Sequence, residues 1–197
     1  MYSNISGIIL AGGKSSRMGV NKAFLYIDGE MIISRVVKMM NLLFKNLMII
    51  TNTLQEYEFL GLPVFEDIYK EKGPLGGIHS GLTHSKTENN FVLSCDMPFM
   101  TIEMIDYIIN YKTQSPVVFC KAAGYMQPLA GVYSRSIIPQ MERFFLDRSI
   151  TDNSFHQFLK EVDSEIINPE SLPFYDDKIF YNVNCPEDYE KILKGNI

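Results

Sequence analysis

Cysteine is scarce in this chain, basic residues are outnumbered, and no apolar run is long. Only Cys95, Cys120 and Cys185 occur among 197 residues, and no two form a CxxC pair. A secreted disulfide framework is thereby excluded, and a reducing cytoplasm fits the count. Lys and Arg total 18 against 23 Asp and Glu, a formal net charge of -5. That is the wrong sign for a protein that holds nucleic acid through its phosphates, so any anionic ligand must be met by a local basic site. The first residues lack a basic segment, and Ile8 to Ala11 falls far short of the ~20 apolar residues of a membrane span. A soluble, cytoplasmic protein is expected, with no nucleic-acid or membrane partner. The three histidines, His79, His84 and His156, are too few and too far apart for a zinc site or a His-based triad.

What is present is ordinary for a folded domain: 46% hydrophobic and 21% charged residues, in a length that buries about 70% of its unfolded surface. Three short apolar runs, Gly7 to Leu10, Leu47 to Ile50 and Phe91 to Ser94, have the length of strands buried on both faces. Helical periods alternate with them: Ile33, Val36, Val37, Met40 and Leu43; then Leu75, Ile78 and Leu82 after Gly73-Pro74; then Ile102, Ile105, Ile108 and Ile109 behind a Thr101 N-cap. Pro116 to Lys121 reads as a further strand, Ile137 to Phe145 as a helix and Ile179 to Val183 as a late strand, with Pro186 opening a last helix. Asp28-Gly29 reads as a hairpin turn. The pattern predicts one α/β domain over 1–197, a three-layer αβα sandwich around a mostly parallel, Rossmann-like sheet.

In such sheets ligands sit beyond the carboxyl ends of the strands. After the first strand comes Leu10-Ala11-Gly12-Gly13-Lys14-Ser15-Ser16-Arg17-Met18-Gly19-Val20-Asn21-Lys22, in which glycines admit an anion to the backbone and Lys14, Arg17 and Lys22 supply positive charge. It is neither a Walker A motif, since Gly7 lies one residue too far from Gly13-Lys14-Ser15, nor a GxGxxG fingerprint. Asp96 ends another strand, where a carboxylate opposite a phosphate loop suits Mg²⁺. Asp67 follows Phe65-Glu66 and can accept from a sugar hydroxyl or a base. Glycines at 76, 77 and 81 weaken the helix they lie in by roughly 1 kcal/mol each, which close packing or ligand approach must offset.

Together, Leu10-Ala11-Gly12-Gly13-x-Ser15-x-Arg17-Met18-Gly19-x-x-Lys22, Glu66-Asp67, Gly73-Pro74-Leu75, Cys95-Asp96-Met97-Pro98-Phe99 and Asn182-Val183-Asn184-Cys185-Pro186-Glu187-Asp188 closely resemble the molybdenum cofactor guanylyltransferases. The resemblance is densest before residue 100 and weak over 120–180. Asn21, Gly76 and Cys185 stand where that family often has Asp, Ala and Thr. It implies a nucleotidyltransferase fold and transfer of GMP from GTP to the terminal phosphate of molybdopterin, with release of pyrophosphate. It further implies backbone contacts from Leu10, Ala11 and Gly12, phosphate contacts from Arg17 and Lys22, nucleoside binding by Asp67, Mg²⁺ at Asp96, and Asn182 and Asn184 on the pterin side. Catalysis would fall to Arg17, Lys22 and Asp96. Transient contact with molybdoenzymes or cofactor-insertion proteins is implied as well. The alternatives are a cytidylyl- or sugar-phosphate transferase of the same fold, a P-loop-like NTPase, and a regulatory nucleotide-binding module.

Overall fold

The computed structural model describes residues 1–12, 21–147 and 154–197. The three apolar runs form neighbouring strands: β1 (Tyr2–Leu10) lies between β4 (Phe44–Ile50) and β6 (Asn89–Ser94) and is parallel to both. β2 (Tyr26–Ile27) and β3 (Glu30–Met31) form a separate hairpin whose turn, Asp28-Gly29, has φ of 51° and 78° at its two central residues, as the sequence predicts for this turn. The main sheet is completed by β5 (Val64–Phe65), β7 (Val117–Ala122), β8 (Tyr125–Ser134) and β9 (Ser164–Ile167), in the order β5-β4-β1-β6-β8-β7-β9. All but β8 run the same way.

Alternation along the strands sends side chains into two cores. Ile9, Ile49, Phe91 and Leu93 face α1 (Ile32–Leu43) and α3 (Ile102–Ile109). Ile8, Ile50 and Val92 face α2 (Gly73–His84), α4 (Ile138–Leu146) and α5 (Phe155–Glu161). This is the expected αβα sandwich. Thr101 caps α3 by accepting from the Met104 N–H. The glycines of α2 are explained by contact: a Cβ on Gly81 would lie 2.6 Å from Ile8 Cγ2, and one on Gly76 2.7 Å from the Tyr69 carbonyl oxygen. Their small size lets the helix settle onto β1 and onto the loop before it, offsetting its poor propensity. His79 is a packing residue, buried beside Tyr69 and 3.3 Å from Glu142.

One sequence expectation needs correction, and one strand was not anticipated. Ile179 to Val183 is no strand: Asp177–Phe180 is a 3₁₀ turn capped by the Asp176 side chain, which accepts from the Lys178 N–H. Ile179, Phe180 and Val183 are apolar because they are buried against other elements, without any ladder. Strand β8 escaped the sequence reading because Gln127, Pro128 and Gly131 break its alternation. The β7–β8 register shifts in that stretch, where a proline does least harm to a ladder. The last helix, α6 (Pro186–Leu193), forms as expected. It packs with the β2–β3 hairpin in a small third cluster through Ile27, Ile32, Val183 and Ile192.

Candidate active site

A cleft of about 1130 Å³ opens beyond the carboxyl ends of β1, β4, β5 and β6. Leu10, Ala11 and Gly12 line it, as do Lys22, Asp67, Asp96 and Asn184, so the fold gathers residues spread over most of the chain. The ladders hold the strand ends beneath it: Ala11 N–H donates to the Ile50 carbonyl at 2.9 Å and Cys95 N–H to the Leu10 carbonyl at 3.0 Å. Gly12 is exposed at the rim, and among the described residues a Cβ there would meet nothing within 4 Å. Arg17, with Gly13, Lys14, Ser15 and Ser16, lies outside the described residues.

At the centre, Lys22 forms an ion pair with Asp96 through Oδ2. Lys22 opens a short 3₁₀ turn, Lys22–Phe24, whose N-cap Asn21 accepts from the Ala23 N–H. The Asn21 amide also donates to Glu56 Oε2 at 2.9 Å and to the Tyr57 hydroxyl at 3.1 Å, fixing the backbone next to Lys22. Asp96 is buried, and its second oxygen, Oδ1, is a buried atom with no hydrogen-bond partner among the described residues. An orphaned carboxylate oxygen at a cleft wall is costly unless a ligand or ion completes it. Among the described residues no three His, Cys, Asp or Glu side chains converge as a closed metal cage. A hard cation held by one carboxylate, with its remaining ligands from phosphate and water, suits this donor set. Cys95 also lines the cleft, but burial first, and then the charge of Asp96, push its thiol up to about 12, so it is no nucleophile at neutral pH.

On the β4 and β5 side, the Asn52 amide donates to Asp67 Oδ2 at 2.7 Å while its oxygen accepts from the Asp67 N–H at 3.2 Å and from Lys70 Nζ at 2.8 Å. Sequence reasoning does not single out Asn52 as a site residue; its reciprocal pairing with Asp67 needs the adjacency of β4 and β5. Gly77 of α2 lies here too, where a Cβ would come 3.6 Å from Asp67 Oδ1. Glu56 and Glu71 add carboxylates, leaving Lys22 the only Lys or Arg among the described residues of the lining. On the opposite side, beyond β6 and β8, stand Leu129 and Asn184. Asn184 Oδ1 accepts from Lys22 Nζ at 3.4 Å. Asn182 is not part of the lining; its amide donates to the Phe180 carbonyl at 3.0 Å within its own loop.

The profile of the MobA-like NTP transferase domain matches residues 7–164. A probable molybdenum cofactor guanylyltransferase of Clostridium perfringens is 38% identical over 192 residues, covering 96% of each chain. One of Carboxydothermus hydrogenoformans is 37% identical over 193 residues, covering 97% of this chain and 96% of that one. Among solved structures, molybdopterin-guanine dinucleotide biosynthesis protein A of Archaeoglobus fulgidus superposes with a TM-score of 0.81 at 22% identity, covering 98% of this chain and all of that one, and so shares the fold.

Proposed function

The chain belongs to the MobA-like NTP transferase family, and from that premise we propose that it is a molybdenum cofactor guanylyltransferase. The reaction is transfer of GMP from GTP to the terminal phosphate of molybdopterin, giving molybdopterin guanine dinucleotide and pyrophosphate. An acceptor phosphate oxygen attacks the α-phosphorus, the bond to the β-phosphate oxygen breaks, and pyrophosphate leaves. Such a displacement needs positioning and charge stabilisation more than covalent chemistry.

The observation that carries the reading is Asp96, lining a cleft at the strand ends, tied to Lys22 through one oxygen and without a partner among the described residues at the other. Asp96 would hold Mg²⁺, which when bound neutralises charge on the phosphates. Lys22 offers its ammonium to the triphosphate and, through Asp96, is kept aimed into the cleft; Arg17 is assigned the second phosphate contact. Asp67, oriented by Asn52, offers a carboxylate oxygen to the N1–H and 2-amino donors of guanine or to a ribose hydroxyl. Leu10, Ala11 and Gly12 are assigned to the nucleotide, and Asn182 and Asn184 to the pterin side, although Asn184 alone of these two lines the cleft. Handing on the product entails transient contact with a molybdoenzyme or insertion protein in the cytoplasm. Among the described residues no helix is long and apolar enough to cross a membrane.

Pyrophosphate release from each NTP, with and without molybdopterin, tests the reading. Release from GTP only with molybdopterin present is the expected result. Phosphate release without acceptor would identify an NTPase, CTP outperforming GTP would identify a cytidylyl transferase, and nucleotide binding with no turnover on any acceptor would identify a binding module.

A further inference from the structure

The cleft follows the order of the sheet. Asn52 and Asp67 lie beyond β4 and β5, the Lys22–Asp96 pair lies in the middle, and Leu129 and Asn184 lie on the β6 and β8 side. An acceptor must therefore meet the Asn184 wall. That wall is a short exposed segment with little packing of its own: Asn184 is exposed, although its neighbour Val183 is fully buried. Upstream it is anchored by the Val183 N–H, which donates to the Asp96 carbonyl at 3.0 Å. Downstream, the Cys185 carbonyl accepts from the Asp188 and Tyr189 N–H groups at 3.1 and 3.4 Å, while the N–H groups of Asn184 and Cys185 themselves turn to one side chain. Asp188, at the third position of α6, accepts through Oδ2 from the Asn184 N–H at 2.9 Å and from the Cys185 N–H at 3.1 Å.

Resting on the function proposed above, we infer that Asp188 is a positioning residue for the acceptor side: it fixes the backbone of Asn184 and so holds the Asn184 side chain against Lys22. The relay runs from Asp188 to the Asn184 backbone, from Asn184 Oδ1 to Lys22 Nζ, and from Lys22 to Asp96. Three further observations fit it. Burial alone would raise the Asp188 carboxyl, but hydrogen bonds from the Asn184 N–H, the Cys185 thiol and the Cys185 N–H outweigh it and hold the group below its ordinary value. The Tyr181 hydroxyl lies 3.4 Å from the Asp188 carbonyl oxygen, bracing the same turn. α6 itself is seated on the β2–β3 hairpin, with the Tyr189 hydroxyl donating to the Tyr26 carbonyl at 2.7 Å, so the anchor point does not move with the wall. Without the carboxylate, the first turn of α6 loses its side-chain acceptor for these two N–H groups, and the Asn184 backbone is held only indirectly, through Val183 upstream and the Cys185 carbonyl downstream.

The test is a double-mutant cycle with Asp188→Ala, Asn184→Ala and the pair, read by pyrophosphate release with molybdopterin varied, by Mg·GTP affinity from calorimetry, and by unfolding midpoints. Asp188→Ala should raise the KM for molybdopterin by about tenfold, the size of a lost cap, while GTP affinity stays within about twofold. Asp188→Asn, whose amide oxygen still accepts from the two N–H groups, should recover to within about threefold of wild type. In the Asn184→Ala background, Asp188→Ala should add less than about twofold, because the two residues act as a unit. Full additivity, a parallel loss of GTP affinity, or an unchanged acceptor KM in Asp188→Ala overturns the inference. If Asp188→Ala fails to fold, Asp188→Ser takes its place in the cycle with the same criteria. A wild-type chain that binds GTP but transfers to no acceptor overturns the functional reading, and this inference with it. A wild-type chain that transfers, with Asp188→Ala its equal, overturns the inference alone.

Discussion

Lys22 and Asp96, 74 positions apart in the chain, meet as an ion pair in the middle of the cleft. The pair joins the end of the glycine loop to the tip of β6, and Asn184 leans on the same ammonium. A charge partner at this point restrains a long side chain that would otherwise sample many rotamers.

Asp96→Ala should leave the fold intact and remove most Mg²⁺-dependent transfer, since a metal at the phosphates contributes several kcal/mol of charge stabilisation. Initial rates against Mg²⁺ concentration are the measurement. Wild-type turnover at low Mg²⁺ would show that Asp96 is not the ligand.

Lys22→Ala and Arg17→Ala should each weaken triphosphate binding or slow transfer by roughly one to two decades, the equivalent of about 1.5–3 kcal/mol for a hydrogen bond to a charged group. Lys14→Ala should do less. Steady-state kinetics of the three variants rank them, and Lys14→Ala as the most damaging would reverse the orientation assigned to the loop.

GTP should be preferred over CTP and ATP, because a site built around guanine's hydrogen-bonding groups leaves its own partners unpaired when adenine enters. Gly12→Ala should raise the KM for GTP more than that for CTP and leave stability unchanged, as a Cβ there meets none of the described residues within 4 Å. Gly131→Ala is the control: its Cβ would lie 2.5 Å from the Val118 carbonyl oxygen, and overpacking against backbone costs about 1–3 kcal/mol in chemical denaturation. An unchanged GTP to CTP ratio in Gly12→Ala refutes the assignment of the base to this rim.

Burial pushes the thiols of both Cys95 and Cys120 from 9.0 up to about 12. At pH 8 a thiol-alkylating reagent should label Cys185, the one cysteine that is not buried, and spare the other two until the protein unfolds. Mass spectrometry of the labelled protein decides this. The same shifts set an alkaline limit. The unfolded thiols ionise near pH 9 while the folded ones stay protonated, so the unfolded state binds fewer protons and stability falls as pH rises from 9 toward 12. Denaturation midpoints that rise over that window would contradict it.

Much of this protein is legible in its residue order. Apolar runs of strand length alternating with helical periods specify the αβα sandwich, because a strand covered on both faces must be apolar throughout. The Thr101 cap, the Asp28-Gly29 turn and the Pro186 helix start are local backbone chemistry that needs no tertiary context. The candidate site was legible where a motif sits at a strand end, as with Leu10 to Gly12, Lys22, Asp67 and Asp96. What the tertiary structure alone decided is non-local. Asn52 pairs with Asp67 because β4 and β5 are adjacent. Strand β8 forms despite Pro128 because β6 and β7 supply ladders on both sides of it. Ile179 to Val183, apolar enough for a strand, is buried against helices and strands without joining a ladder, since apolar burial has no preferred direction and does not by itself require a sheet. Asp188 bonds the backbone of Asn184, a residue of the cleft lining. That connection depends on where the fold seats α6, and hydrogen bonds of that kind are set by distance in space, not by spacing along the chain.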